Sequence, residues 1–402
     1  MKAEEGREVF LLGLSHALVH GYMLIYPAVL VLIMKEFRVG YFLLGLLGTI
    51  SNFAFGLGAL PAGFLSDRLG ARRLIFLYLV GSSLSALLIS LSTTFLQLAL
   101  GLGLLGLFCS LYHPCSLALL SHFQERGKAF GIVGALGNIG LALSPLLAGY
   151  LASLRGWRSS FPSFSLVGLL LALAYLIHGR KLGIGGEGRH RETLLTPARE
   201  DNGFLTPALI LLVCIQMLAG FSFQGATTFL PTYLGRRVEM QLLGLDPVRI
   251  GGLMASISLI IGVIGQYLGG YWGQKSEPER LYLFLITATL PSLLAVGSSR
   301  NAILVLSAAT FAFFYFFAQP VGNILLASLT SASARGRGYG ISFFFSFGIG
   351  SMAASFCGLV AEKISLSAVF YCLSLVNCLQ VALAIVLRGM RRKAPSSLRE
   401  GR

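Results

Sequence analysis

Twelve long apolar runs limit what this chain can fold into. A membrane-spanning helix needs about 20 predominantly apolar residues. Only 12% of the residues are charged, whereas a soluble domain carries about 25%. We therefore expect an all-α protein of twelve transmembrane helices that lies in a lipid bilayer. The predicted spans are near residues 9–34, 41–66, 73–91, 94–122, 127–152, 161–179, 205–233, 247–271, 281–298, 300–332, 336–361 and 365–388.

The basic residues indicate how the spans are oriented. The net charge is +15, but the Lys and Arg residues lie in short loops between the spans and form no basic face, so we exclude a nucleic-acid partner. With twelve spans, 22 of the 31 Lys and Arg residues fall on the side of the two termini. By the positive-inside rule both termini are cytoplasmic, and the expected location is the plasma (inner) membrane.

One hydrophilic segment divides the chain into two similar halves. The predicted domains are a six-helix bundle over 1–178, a cytoplasmic linker over 179–204 and a second six-helix bundle with a basic tail over 205–402. Four short matches recur in the same order at offsets of 204 to 209 residues, for example "GFLSDR" from Gly63 and "GYWGQK" from Gly270. Parallel repeats of this kind predict two pseudo-symmetric bundles with a substrate site between them at mid-membrane.

The loop after the second span carries the motif "GFLSDRLGARR", residues 63–73. It resembles the loop signature of the major facilitator superfamily, and "RGWRSSF" at 155–161 is similar to a second segment of that family. The resemblance implies the major facilitator fold and transport by alternating access. Asp67 lies at a helix end beside several cations, where it can accept hydrogen bonds and hold the cytoplasmic side shut. The predicted gating residues are Gly63, Asp67, Arg68, Gly70, Arg72 and Arg73.

Within that superfamily, three stretches are similar to the fosmidomycin-resistance group of efflux carriers. They are "SHALVHG", "YHP" and "GNIGLALSPLLA". That group has an aspartate where His20 stands here. The glycine-rich stretch 131–149 also resembles a fifth-helix motif of antiporters, which favours exchange, although small residues at this spacing also serve close helix packing.

Three histidines, His16, His20 and His113, are the mid-span groups that titrate in the physiological pH range, because no acid and no Lys or Arg falls mid-span. At about 1.5 Å per residue, His20 and His113 both lie about 15 Å deep, near the middle of the membrane. The repeat pairs His20 with Gln224 and His113 with Gln319. The predicted proton-coupling residues are His20, His113 and His16, and the predicted substrate-binding residues are His20, His113, Gln224, Gln319, Asn323, Tyr26 and Tyr112.

Two other interpretations of the histidines stay open. They can be structural and bonded to backbone carbonyls. Two or three of them could also bind zinc, but the sequence offers no carboxylate or cysteine pair to complete the ligand shell, so we predict no metal.

A secondary active transporter is the function that these features favour. The chain has no phosphate-binding GxxxxGK[ST] motif, so an ion gradient or the solute's own gradient drives transport. Without a buried carboxylate, organic cations are not favoured. We expect proton-coupled efflux of a neutral or weakly anionic amphiphile by a monomer that has no cofactor and is not an enzyme. The alternatives are uptake or facilitated diffusion of a small organic anion without proton coupling, and then a histidine-bound metal transporter or membrane metalloenzyme.

Overall fold

The computed structural model describes residues 3–121, 123, 125–181, 206–239, 244–331 and 335–393. Twelve helical spans in this part of the chain are long and apolar enough to cross a membrane, which confirms the predicted fold class. The first six spans are formed by α1 Ala3–Phe37, α2 Tyr41–Leu69, α3 Ala71–Ser90, α4 Phe95–Cys109 with α5 Tyr112–Leu120, α6 Arg126–Arg155 and α7 Ser160–Lys181.

The last six spans follow the same order. They are formed by α8 Pro207–Arg237, α9 Pro247–Gly273, α10 Pro278–Ser298, α11 Asn301–Ser328, α12 Arg335–Phe343 with α13 Met352–Lys363, and α14 Leu366–Lys393. The predicted linker lies mostly outside the described residues, because α7 continues to Lys181 and the description resumes at residue 206.

The fourth span is broken at its centre, and Pro114 explains the break. Proline has no backbone N–H, and its ring crowds the carbonyl of the residue four positions earlier, which is Ser110. The helix is interrupted at Ser110 and Leu111, between α4 and α5. His113 is consequently the second residue of α5, directly after the break.

The eleventh span is irregular at a similar depth. Between α12 and α13 the backbone forms a π-helical turn over Phe344–Gly348 and a 3₁₀ turn over Ile349–Ser351. π-Helical turns are frequent at functional sites. The two irregular spans, one in each half, both contribute side chains to the central cavity described below.

Glycines allow the two halves to approach closely. α6 packs on α9, and α2 packs on α13. A Cβ atom at Gly252 of α9 would collide with the carbonyl oxygen of Pro145 in α6, and one at Gly358 of α13 would collide with the carbonyl oxygen of Tyr41 in α2. Within the glycine stretch of α6 the roles differ, because Gly131 and Gly134 have no such neighbours.

Polar contacts join the halves on the side of the molecule opposite to the start of α1 and the end of α14. The Asp246 carboxylate caps α9 through the backbone N–H groups of Val248 and Arg249, and it also accepts a hydrogen bond from Ser153 at the end of α6. The backbone N–H of Phe42 in α2 donates to the Glu362 carboxylate in α13 over 2.9 Å. We call this side the closed side and the other the terminal side.

Candidate functional site: a central cavity with three histidines

A cavity of about 570 Å³ lies between the two halves. Its wall includes residues close to the terminal-side ends of their helices, namely Leu117, Phe130, Asn323 and Tyr339. The contacts of Ser153 with Asp246 and of Phe42 with Glu362 close the opposite side. The cavity therefore extends from mid-membrane toward the terminal side.

The wall of the cavity is mostly apolar, with amide and hydroxyl side chains between the apolar ones, and its described residues carry no fixed charge. Among the described residues that line it there is no Asp, Glu, Lys or Arg. His16, His20 and His113 line the cavity, and imidazole is the side chain whose ordinary pKa is closest to neutral. Among the described lining residues, these three rings are therefore the natural candidates for proton binding.

The three imidazoles form one cluster. The ring centroids of His16 and His20 are 4.7 Å apart, those of His16 and His113 are 5.1 Å apart, and those of His20 and His113 are 5.6 Å apart. His16 and His20 lie one turn apart on α1, where residues i and i+4 share a face. The break before α5 brings His113 to them from the fourth span.

Hydrogen bonds determine which ring nitrogens of His16 and His20 donate and which accept. Nδ1 of His16 lies 2.9 Å from the carbonyl oxygen of Val133, and Nε2 of His16 lies 3.0 Å from Nε2 of His20. A carbonyl oxygen only accepts, so Nδ1 of His16 carries the hydrogen. When both rings are neutral, Nε2 of His16 must then accept from the Nε2–H of His20. This assignment leaves the lone pair of His20 Nδ1 free, and that buried atom has no hydrogen-bond partner in the protein.

Packing holds His16 in this position. Its ring stacks on Tyr112 with 5.2 Å between centroids. The Tyr112 hydroxyl donates to the carbonyl oxygen of Leu12 over 2.7 Å, and the hydroxyl of Tyr78 in α3 donates to the carbonyl oxygen of Ser15 over 2.9 Å. Together with His113, these two tyrosines are the titratable groups that neighbouring helices place around His16 and His20.

Two predicted binding residues do not line the cavity. Tyr112 is fully buried behind His16, and Tyr26 is buried with its hydroxyl donating to the carbonyl oxygen of Leu44 over 2.6 Å. Both hydroxyls are therefore occupied by backbone carbonyls and do not face a solute. The structure places these tyrosines in the packing that supports the site and not in its wall.

The other predicted binding residues, Gln224, Gln319 and Asn323, do line the cavity. Sequence reasoning missed six more amide side chains in the wall. Each of them is an amide within an apolar run of the sequence, so considering every such residue would have found them. The six are Asn52, Asn138, Gln216, Gln266, Asn377 and Gln380.

Two residues of the predicted gating motif, Gly70 and Arg72, have clear structural roles. Gly70 has a φ angle of 87° where α2 ends and α3 begins, a conformation that favours glycine. Arg72 forms a two-pronged ion pair with Glu8 of α1, at 2.8 and 3.2 Å. Gly63 has open space around it, and the side chain of Arg68 is exposed. Arg73 lies near the start of α3, and the side chain of Asp67 lies outside the described residues.

The histidine cluster is also the described group whose ligand atoms could hold a metal ion. One ring nitrogen from each histidine lies within 4.8 Å of the others. Nitrogens bound to a tetrahedral zinc ion at about 2.0–2.1 Å are about 3.3 Å apart, so the rings would have to draw together. With Nδ1 of His16 bonded to the carbonyl oxygen of Val133, Nε2 is the His16 nitrogen that could bind a metal, and that atom already accepts the hydrogen bond from His20. Metal binding and the hydrogen-bonded chain are therefore alternative states of the cluster.

Comparison with known proteins supports the family resemblance. Residues 10–354 match the sequence profile described as Major Facilitator Superfamily. A probable L-galactonate transporter of Escherichia coli is 25% identical over 57% of this chain and 52% of its own length. The chain thus spans about half of that relative.

Two further relatives have different names. A cis,cis-muconate transport protein of Acinetobacter baylyi is 23% identical over 76% of this chain and 75% of its own length. A methylenomycin A resistance protein of Bacillus subtilis is 36% identical, but only over 28% of this chain and 25% of its own.

Among solved structures, a bacterial homologue of the human lysosomal transporter Spinster, in an inward-facing and occupied conformation, has a TM-score of 0.76 and 17% identity. The similarity covers 96% of this chain and 97% of that one, and it concerns the fold.

Proposed function

The chain belongs to the Major Facilitator Superfamily, whose members related to this chain are transporters of small organic solutes, and we propose that it performs proton-coupled efflux of a neutral or weakly anionic amphiphile. Alternating access of the two halves to the central cavity would move the solute. The observation that carries the proposal is the unpartnered Nδ1 of His20 in the three-histidine cluster, in a cavity whose described lining residues include no Asp, Glu, Lys or Arg.

Competition for this one lone pair would couple the two fluxes. An O–H or N–H group of the solute donates a hydrogen bond to Nδ1 of His20 when the ring is neutral. A proton that binds the same atom turns it into a donor and displaces the solute. Mutual exclusion of proton and solute is the requirement for exchange, so protons would enter as the solute leaves.

The spacing of the rings limits the cluster to one proton at a time. Two positive imidazoles about 5 Å apart repel each other by about 3 kcal/mol at an effective dielectric constant of about 20. His16, fixed by Val133, would relay or stabilise this charge, and His113 would lie nearest to the open cavity. We therefore propose one proton per solute.

The charge distribution supports an orientation. The terminal side carries most of the basic residues, so we propose that it faces the cytoplasm and that this conformation is inward-open. Asp67 and the rest of the loop motif would close the cytoplasmic side in the opposite conformation. The closing role of Asp67 is inferred from the loop motif in the sequence. We also propose that the two halves, 1–178 and 205–402, move as units about the linker.

Uptake of a small organic anion is the second candidate. The relatives named for L-galactonate and cis,cis-muconate favour it, whereas the relative named for methylenomycin A resistance favours efflux. A carrier of anions needs positive charge in its cavity, and here only a protonated histidine cluster would supply it. Uptake would thus require that a lower pH strengthens solute binding. Competition between the proton and the solute for His20 predicts the opposite, that a lower pH weakens it.

The experiment measures flux in proteoliposomes with an imposed pH gradient and a panel of neutral and weakly acidic aromatic compounds. Protein-free liposomes correct for passive entry. We expect compounds to move against the proton gradient with the wild-type protein, and we expect His20→Asn to abolish the dependence of flux on the gradient. Flux driven in the same direction as protons would favour the uptake candidate. Unchanged pH dependence in the His20→Asn, His113→Asn double variant would contradict histidine coupling.

A further inference from the structure

Three imidazoles from two helices converge in the cavity at nearly the spacing of a metal site. One nitrogen atom from each of His16, His20 and His113 lies within 4.8 Å of the other two. Two nitrogens bound to a tetrahedral zinc ion are about 3.3 Å apart, so no pair has to approach by more than about 1.5 Å. Nε2 of His16 and Nε2 of His20, at 3.0 Å, are already close to that spacing.

A backbone carbonyl prepares His16 to be a ligand. Histidines that bind metal ions almost always donate their second ring N–H to a carboxylate or a backbone carbonyl, which fixes the tautomer and the orientation of the ring. Nδ1 of His16 makes this hydrogen bond to the carbonyl oxygen of Val133 over 2.9 Å. The lone pair of His16 therefore lies on Nε2, the atom that faces His20.

His20 can become a ligand without gaining or losing a proton. In the hydrogen-bonded state its hydrogen lies on Nε2, which donates to His16. When a metal ion takes the place of this hydrogen between the two Nε2 atoms, the hydrogen moves to Nδ1 of the same neutral ring. Nδ1 of His20 has no partner in the protein, so the shift breaks no contact at that atom.

The cavity supplies the ligand that the three rings lack. Zinc sites built from three histidines have a fourth tetrahedral position that water or substrate fills, and His16, His20 and His113 all line the cavity. A complete shell therefore needs neither the carboxylate nor the cysteine pair that the sequence does not offer. Imidazole nitrogens suit Zn²⁺, Cu²⁺ and Ni²⁺, whereas Mg²⁺ and Ca²⁺ prefer oxygen ligands.

We propose that the histidine cluster is an inhibitory binding site for a divalent cation of the imidazole-preferring class, of which Zn²⁺ is the probe. The ion enters from the terminal side, binds Nε2 of His16, Nε2 of His20 and one nitrogen of His113, and keeps a water molecule. The hydrogen on Nδ1 of His20 then removes the lone pair for which proton and solute compete. The binding site stands on geometry alone, whereas its inhibitory role rests on the proposed transport function.

The charge of the bound ion also opposes closure of the cavity. The described lining residues include no Asp or Glu, and enclosing an ion without a counter-charge is costly. The metal-loaded protein is therefore held in the conformation that is open to the terminal side, and the solute does not cross.

Titration calorimetry measures metal binding to the full-length protein in lipid nanodiscs, after removal of any affinity tag, at one fixed pH above the ordinary imidazole pKa of about 6.5. We expect one Zn²⁺ per chain and no binding of Mg²⁺. His16→Ala, His20→Ala and His113→Ala should each weaken Zn²⁺ binding at least about 10-fold, because loss of a supporting contact alone already has that effect at metal sites. His178→Ala, which removes a histidine near the end of α7, should keep the wild-type affinity.

A second pair of variants tests the Val133 contact without removing a ligand. Gly137→Ala places a methyl group against the His16 ring, whereas a Cβ atom at Gly134 meets nothing within 4 Å. We expect the Zn²⁺ affinity to fall about 10- to 100-fold in Gly137→Ala and to stay at the wild-type value in Gly134→Ala. Circular dichroism confirms that each variant is folded.

Flux in proteoliposomes then tests inhibition. Zn²⁺ on the terminal side should stop solute flux, and EDTA should restore it. No Zn²⁺ binding, or binding that persists unchanged in the three histidine variants, would overturn the site, and binding that leaves flux unchanged would overturn its inhibitory role. Zn²⁺ binding without pH-dependent flux would contradict proton coupling alone, whereas pH-dependent flux without Zn²⁺ binding would contradict the metal site alone.

Discussion

Gly137 of α6 packs directly against the imidazole of His16 on α1, and a Cβ atom at position 137 would collide with the His16 ring at Nδ1. This is the nitrogen that faces the carbonyl oxygen of Val133, one turn earlier on α6. The absence of a side chain at position 137 therefore permits the hydrogen bond that sets the direction of the histidine cluster.

Gly137→Ala should therefore change coupling. The added methyl group pushes the His16 ring away from Val133, so His16 no longer has a fixed tautomer and His20 loses its oriented partner. We expect the pH dependence of flux to weaken or shift, while the protein still folds. Gly134→Ala is the matched control, because Gly134 lies on the same helix with nothing nearby. If both alanine variants behave like the wild type, the contact has no functional consequence.

Pro114→Ala should restore a continuous fourth span. Alanine supplies the missing N–H and favours helix, so the interruption at Ser110 and Leu111 would close. His113 would then turn away from His16 and His20. We expect normal expression and thermal stability but weaker pH dependence of flux, measured in the same proteoliposome assay. A variant with wild-type coupling would show that the break is not needed to position His113.

The ion pair between Glu8 and Arg72 should contribute stability. Glu8 is buried, at 4% exposure, so removing one partner leaves the other charge poorly compensated, at a cost of about 3 kcal/mol. We expect Arg72→Gln and Glu8→Gln each to lower the melting temperature in detergent, and the double variant to lose less than the sum. A changed transport rate with unchanged melting temperature would instead make Arg72 a mobile gating residue.

Asp246→Asn should loosen the closed side in a pH-dependent way. Burial raises the pKa of the Asp246 carboxyl. Hydrogen bonds from Ser153 and from the backbone N–H groups of Arg249 and Val248, together with the charge of Arg249, lower it by more. The pKa of Asp246 is therefore lowered overall. A carboxyl group whose pKa is lowered by folding stabilises the native state at pH values above its unfolded pKa of about 4. This contribution is lost as the pH falls through the native value.

The measurement compares melting temperatures of the wild type and Asp246→Asn across pH. We expect the wild type to be more stable at neutral pH, the difference to shrink below about pH 4, and the difference to be lost as the pH falls through the lowered native pKa of Asp246. The control is Glu239→Gln, an exposed acid on the same side, which should show no such difference. A constant difference across the whole pH range would indicate that Asp246 acts as a neutral helix cap.

Part of the candidate site can be predicted from the sequence. A titratable group in an apolar span is rare, which points to His16, His20 and His113, and the internal repeat points to Gln224 and Gln319; all five line the cavity. Tyr26 and Tyr112 are also predicted to bind the solute, but their hydroxyls bond to backbone carbonyls. Chain position cannot reveal which way a hydroxyl points on a helix that is buried on several sides.

The sequence by itself determined the number of spans and the resemblance to a transporter family. These features follow from hydrophobic length and local motifs, which are properties of short segments. Only the tertiary structure decided that the three imidazoles lie in contact and that the carbonyl oxygen of Val133 fixes the tautomer of His16. The contacts of His113 and Val133 with the α1 histidines join residues more than 90 positions apart, and they depend on the rotation of each helix about its axis. That rotation is set by packing between helices, such as the contact of Gly137 with His16, and no single segment encodes it.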